Sequence, residues 1–234
     1  MSEELYVFPP PDCPTVPVAG ERLLFPVHRV YCVGQNYREH AVEMGASGRE
    51  APFFFAKPAD AVCCDEVVPY PPVTENLHHE VELVVALDGG GRDVAAEDAL
   101  DCVYGYAIGV DLTRRDLQAA ARKAGRPWTT AKGFDRSAPI SAIFPLARCG
   151  HPHSAAIRLS VNGETRQSGN TAQMIWKVPE LLAELSRYFE LRSGDLVFTG
   201  TPAGVGPLLP GDRVACSIDG LDDLAFELGD APRR

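Results

Sequence analysis

Apolar residues in this chain cluster in short runs far more than at helical spacing. "RVYCVG" (29–34), "EVELVVAL" (80–87), "YGYAIGVD" (104–111), "AIRLSVNGETRQ" (156–167), "DLVFTG" (195–200) and "RVACSI" (213–218) read as strands. Asn162-Gly163 divides the fourth run into two alternating halves and predicts a type I′ hairpin. Helical patterning is confined to 93–103, about 113–124, and 179–190. Thr113 and Asp116 have capping-box spacing in the second of these, and Pro179 opens the third. Strands and helices do not alternate as βαβ units, so the pattern predicts a β-rich α+β fold and excludes a Rossmann arrangement.

Prolines at 9, 10, 11, 14 and 17 block regular structure at the start, so residues 1–24 read as an extended arm. Patterning is even from Phe25 onward, without linker or repeat, and residues 25–234 read as one catalytic domain. The 234 residues carry 22 Lys and Arg against 32 Asp and Glu, a net charge of -10 that argues against nucleic acid and anionic membrane as partners. No run approaches the length of a membrane span, and the acidic, proline-rich start is unlike a signal peptide. A cytoplasmic protein acting on a small molecule is the expectation. Its seven cysteines form no CxxC pair and read as reduced thiols.

The run at 80–87 poses the sharpest chemical question, because Glu80 and Glu82 stand at the head of an otherwise apolar strand. Alternation puts both on one face, with Cα atoms roughly 6.5 to 7 Å apart. Buried carboxylates held so close require a cation. The alternative from these residues alone is an edge strand whose acids face water or arginines. Asp111, at the end of another apolar strand, supplies a third carboxylate. An all-oxygen set favours Mg²⁺ or Mn²⁺ over Zn²⁺. His79 alternates away from the glutamates and reads as structural. "GTPAGVG" lacks the Lys and Ser/Thr of a phosphate-binding loop.

"YCVGQNYREHAVEMG", "PFFFAKPADAV", "NLHHEVELVV", "YGYAIGVDLTRRDLQ", "RPWTTAKGFDRSAPI", "VNGETRQSGNTAQMIW" and "GDLVFTGTPAGVGP" occur in the order seen in the fumarylacetoacetate hydrolase family. From about residue 25 onward the chain resembles that family, and most of all its fumarylpyruvate hydrolases and acylpyruvases. The resemblance implies a mixed β-roll, usually a homodimer, with a divalent metal on Glu80, Glu82 and Asp111. It maps a His-x-x-Glu dyad, the general base for water, onto His40 and Glu43; the glycines that follow, Gly45 and Gly48, suggest a mobile segment that could close over substrate. Lys57 and Lys132 match basic positions that meet substrate and oxyanion, Gln118 an amide near the attacking water, and Arg115 a second basic position. Gly200 and Thr201 resemble a loop that meets the substrate carboxylate.

The implied reaction is hydrolysis of an acylpyruvate at its C3–C4 bond, fumarylpyruvate giving fumarate and pyruvate, as in gentisate breakdown. Arg38, Arg115 and Arg126 are the candidates for the distal carboxylate. Relatives also decarboxylate oxaloacetate or isomerise unsaturated 2-keto diacids, and a non-catalytic binding protein is a further alternative. Two features depart from the family pattern: Gln35 stands where relatives commonly carry Arg, and "GHPH" (150–153) matches no motif.

Overall fold

The computed structural model describes residues 6–38 and 50–231. A central sheet of six strands runs in the order Phe144–Pro145, Val103–Val110, Val81–Leu87, Asp195–Phe198, Arg29–Gly34 and Phe53–Lys57. Asp195–Phe198 lies parallel to Arg29–Gly34, and the other neighbours are antiparallel. A second sheet of five strands runs Glu164–Asn170, Ala156–Val161, Arg213–Ile218, Leu224–Leu228 and Val67–Val68. The chain is thus sheet-dominated and mixed, with few helices, as the patterning predicts.

Two apolar cores lie on opposite faces of the central sheet. Leu83, Val85 and Leu87 join the larger one, with the second sheet and Leu181, Leu182 and Leu185 of the helix Val178–Tyr188. Val84 and Ala86 join the smaller one with Phe198 and Ile140. A strand covered on both faces is apolar along the covered stretch, which is why 83–87 shows no alternation of polarity. Glu80 and Glu82 share the parity of Val84 and Ala86. They come at the end of that face, where the apolar cover gives way to the site.

In the N-terminal segment Thr15–Pro17 pairs with Leu24–Pro26, and Val16 and Val18 are buried in the smaller core. All seven cysteines are free thiols. No helix among the described residues is long and apolar enough to cross a membrane.

Two expected helices differ, whereas the expected hairpin forms. Residues 93–103 hold only a 3₁₀ turn, Ala99–Cys102, because Asp93 sits at a left-handed φ of 50° and the amides of Asp93 and Val94 are drawn to Ser186. The second helix is Arg115–Lys123, since Thr113–Arg114 pairs with Leu77–His79. Its capping box does not form: the Thr113 hydroxyl donates to the Asp111 carbonyl, and Asp116 accepts from the Thr74 hydroxyl. The strand reading of 156–167 resolves into Ala156–Val161 and Glu164–Asn170, joined through Asn162 (φ 53°) and Gly163 (φ 83°) as a type I′ turn demands. The GHPH segment is a loop, in which His151 meets the Tyr106 phenol at 2.6 Å.

Candidate metal centre and active site

Strand register brings the three carboxylates together. Val81 lies opposite Val110 and Glu82 opposite Gly109, so the next step along sets Glu80 against Asp111. The Asp111 amide donates to the Glu80 carbonyl at 2.8 Å, which confirms the juxtaposition. One ligand atom from each of Glu80, Glu82 and Asp111 lies within 4.8 Å of the others, and all three residues are buried.

Three cations answer them. Lys132, the last residue of the short helix Thr129–Lys132, sets its Nζ 2.8 Å from Glu80 Oε2, 2.6 Å from Asp111 Oδ2 and 2.6 Å from Thr113 Oγ1. Lys57, at the end of Phe53–Lys57, lies 2.8 Å from Asp111 Oδ1 but directs its hydrogen bonds to the Leu112 and Lys132 carbonyls. Arg115 reaches Glu80 Oε1 at 2.5 Å and donates to Gln118 Oε1, one helical turn on. Burial alone would lower the Lys132 pKa, but Asp111 and Glu80 reverse its effect and raise it. This lysine is therefore held charged.

Glu82 has the opposite problem. Burial raises its carboxyl well above the usual range, and Asp111 and Glu80 push the same way. Against this act the Gly200 amide, which donates to Oε2 at 2.6 Å, and the charge of Lys132. Asp111 Oδ1, though near Lys57, has no aligned hydrogen-bond donor. Three buried carboxylates, one with an oxygen left over and one raised in pKa by burial and by its acidic neighbours, are the donor set of a hard divalent cation. The residues fit such an ion.

Phe53, Phe55 and Trp128 wall the cluster, with ring centroids 5.5 Å (Phe53–Trp128) and 6.0 Å (Phe55–Trp128) apart. Gln35 lines the same cavity with φ 56°, a left-handed conformation that is uncommon for glutamine. Gly200 has no room for a side chain: its φ is 95°, and a Cβ there would lie 2.7 Å from that of Asn36. The Thr201 hydroxyl donates to the Val81 carbonyl at 2.8 Å. The loop expected to meet substrate thus also grips the glutamate strand.

His40 and Glu43, with Gly45 and Gly48, lie outside the described residues. The structure gathers Lys57, Glu80, Glu82, Asp111, Arg115, Gln118, Lys132, Gly200 and Thr201 around one centre. His78, left unassigned from sequence, contacts Asn76 Oδ1 at 3.0 Å; burial first, then Arg115, lowers its pKa to about 4. His79 turns to the other face, with Nδ1 2.9 Å from Gln167 Oε1. Gln167 escaped the sequence reading. It is the one fully buried polar residue of an otherwise exposed strand, and nothing in its local pattern signals that.

A family model of the fumarylacetoacetate (FAA) hydrolase C-terminal domain matches residues 29–228. The chain belongs to this family. Among its solved members, the fumarylpyruvate hydrolase of Pseudomonas aeruginosa, crystallised with Mn²⁺ and pyruvate, is 50% identical with a TM-score of 0.93, over 96% of this chain and 99% of that one. The oxaloacetate tautomerase YcgM of Escherichia coli is 44% identical, over 86% of this chain and 93% of its own length. The mitochondrial oxaloacetate decarboxylase of Dictyostelium discoideum is 40% identical, over 86% of this chain and 93% of its length. These three relatives are therefore enzymes of more than one reaction, each named for a 2-keto acid.

Proposed function

We propose that this chain is a divalent-metal-dependent hydrolase of acylpyruvates, with fumarylpyruvate as substrate and residues 25–234 as its catalytic body. The observation that carries the reading is the buried, oxygen-only cluster of Glu80, Glu82 and Asp111 with three cations packed around it. Likeness to a fumarylpyruvate hydrolase along nearly the whole chain supports it.

Charge explains why such a site suits a keto acid. Lys57, Lys132 and Arg115 already balance three carboxylates, so a divalent ion leaves the centre with two positive charges to offer an anionic substrate. Mg²⁺ or Mn²⁺, held by Glu80, Glu82 and Asp111, would act as a Lewis acid on the 2-keto-acid end and lower the energy of the developing enolate. In the role that the family resemblance implies for His40 and Glu43, His40 takes a proton from water, and the resulting hydroxide attacks C4. Lys132, whose three N–H groups are taken by Glu80, Asp111 and Thr113, or Lys57 beside it, stabilises by its charge the oxyanion that forms there. The C3–C4 bond breaks with its electron pair passing to C3. Protonation of C3 completes pyruvate, and the water oxygen leaves in fumarate.

The distal carboxylate needs a cation that is not already committed. Arg115 is engaged by Glu80 and Gln118, whereas Arg38 lines a cavity of about 440 Å³ with Tyr37, Ser168, Gln173 and Pro202. This cavity adjoins Thr201 through Pro202, which favours Arg38. The working form is a homodimer in the cytoplasm, for which light scattering would give twice the monomer mass.

Oxaloacetate tautomerase or decarboxylase is the second reading, favoured by the 44% and 40% identical relatives of those names. Both reactions need the enolate chemistry at C3 but no attack of water at C4. The deciding experiment follows loss of the ultraviolet band of fumarylpyruvate, acetylpyruvate and oxaloacetate with Mg²⁺ or Mn²⁺ and then with chelator. Metal-dependent formation of fumarate and pyruvate is the expected result. Consumption of oxaloacetate alone would instead establish the second reading.

A further inference from the structure

We infer that Gln167 is a positioning residue that locks the Gly200–Pro202 loop onto the glutamate-bearing strand, and so governs how tightly the centre holds its ion and the acid end of its substrate. The inference rests on the metal-centre reading above.

Gln167 is completely buried on the strand Glu164–Asn170. Its Oε1 accepts from the Val81 amide at 3.1 Å and from His79 Nδ1 at 2.9 Å. Its Nε2 donates to Thr201 Oγ1 and to the Pro202 carbonyl, both at 2.8 Å. Four bonds satisfy both acceptor sites and both donors of a primary amide. The orientation is forced, because a flipped amide would set NH₂ against the Val81 N–H and a carbonyl oxygen against that of Pro202. It also requires His79 to carry its proton on Nδ1.

The position of Val81 gives the clamp its meaning. Val81 lies between Glu80 and Glu82, where the strand Leu77–His79 ends and Val81–Leu87 begins. Its amide is taken by Gln167, and its carbonyl by the Thr201 hydroxyl that Gln167 also holds. Val81, Gln167 and Thr201 therefore close a ring of hydrogen bonds, and the same loop delivers the Gly200 amide to Glu82. One side chain fixes both the spacing of two ligand carboxylates and the loop beside them. Partners that orient metal ligands in this way commonly matter 10- to 100-fold in metal affinity.

Calorimetric titration of the full chain with Mn²⁺, then of the Mn²⁺-loaded protein with pyruvate, tests this without reference to turnover or acyl group. Gln167→Met keeps the stem and volume but deletes all four bonds. It is expected to weaken Mn²⁺ binding about 10-fold or more and to weaken pyruvate binding as well. Thr201→Val leaves Gln167 on the glutamate strand and on the Pro202 carbonyl, and removes both its bond to Thr201 and the Thr201 bond to the Val81 carbonyl. It is expected to hold Mn²⁺ within about twofold of the parent while pyruvate binding weakens roughly fivefold or more, two hydrogen bonds of the loop being lost. A Gln167→Met protein that melts earlier yet binds both ligands as the parent does would show a purely structural residue and overturn the inference. If that variant does not fold, unchanged pyruvate affinity in Thr201→Val overturns it instead. Failure of the parent to bind Mn²⁺ would overturn the metal-centre reading and this inference together, whereas hydrolysis of a different keto acid would touch neither.

Discussion

Asp111 sits where two lysines converge. Lys132 donates to its Oδ2 and Lys57 lies against its Oδ1, all within buried surroundings. Removal of a buried carboxylate leaves its partners as uncompensated buried charges, which typically costs about 3–5 kcal/mol. Asp111→Ala is therefore expected to lose stability on that scale in urea unfolding, as well as Mn²⁺-dependent turnover. A fully active Asp111→Ala protein would rule out the metal centre. Arg38 is a softer case, because it is exposed at the cavity rim. A charge-assisted hydrogen bond to the distal carboxylate is worth roughly 1.5–3 kcal/mol, so Arg38→Ala should raise KM for fumarylpyruvate by about 10-fold or more. Acetylpyruvate, which has no distal carboxylate, should be turned over with unchanged KM; equal effects on both would remove Arg38 from substrate recognition.

At the scale of elements, the hairpin at Asn162-Gly163 depends on backbone conformation more than on contacts. Both residues are left-handed, and Asn162 is further held by its side chain to Asp212 Oδ1 and the Arg213 amide. A β-branched residue at a left-handed position costs roughly 1–2 kcal/mol. Gly163→Val should lower the urea midpoint accordingly and leave kcat/KM unchanged, since the turn is remote from the carboxylates. The loop that carries His151 supplies a pH-dependent element. Burial, then His153, lowers the His151 pKa, and its Nδ1 is hydrogen-bonded to the Tyr106 phenol, itself raised by burial. The unfolded chain, with an ordinary histidine near 6.5, thus binds the proton more readily than the folded one. The stability that this neutral imidazole contributes is present above that pH and is lost as pH falls toward the folded value. Parent protein should unfold at lower urea at pH 5.5 than at pH 7.5, by a margin that narrows in His151→Gln. An unchanged margin would show that other groups set the slope.

The whole molecule presents its centre as a meeting point of separately built parts. The central sheet gives Glu80, Glu82, Asp111 and Lys57, two helices give Lys132, Arg115 and Gln118, and a loop after Asp195–Phe198 gives Gly200 and Thr201. An ion bound by the three carboxylates at this meeting point favours the folded chain by mass action, about 2.7 kcal/mol at 100 times its Kd. Addition of Mn²⁺ should therefore raise the melting temperature, chelator should reverse the rise, and Glu82→Gln should be unresponsive. A melting temperature indifferent to Mn²⁺ in the parent would count against the centre.

Much of this was legible from the residues alone, and for physical reasons. Apolar runs bounded by turn formers are local signals, so 29–34 and 213–218 are strands at the expected bounds, and Asn-Gly encodes its own turn. The shared face of Glu80 and Glu82 follows from the two-residue repeat of any strand, and their expense in an apolar run pointed to a cation before any partner was known. Other features are properties of register and packing. Residues 93–103 gave up a helix because Ser186, far along the chain, claims the amides of Asp93 and Val94. Thr113 lost its cap to pairing with Leu77–His79. The placement of Asp111 opposite Glu80 depends on which strands pair, and the amide of Gln167, on an outwardly polar strand, gains its role only when Val81 and Thr201 are brought to it. Chemistry carried by one segment can be read from that segment, whereas chemistry shared between segments exists only once long-range contacts have fixed their distances.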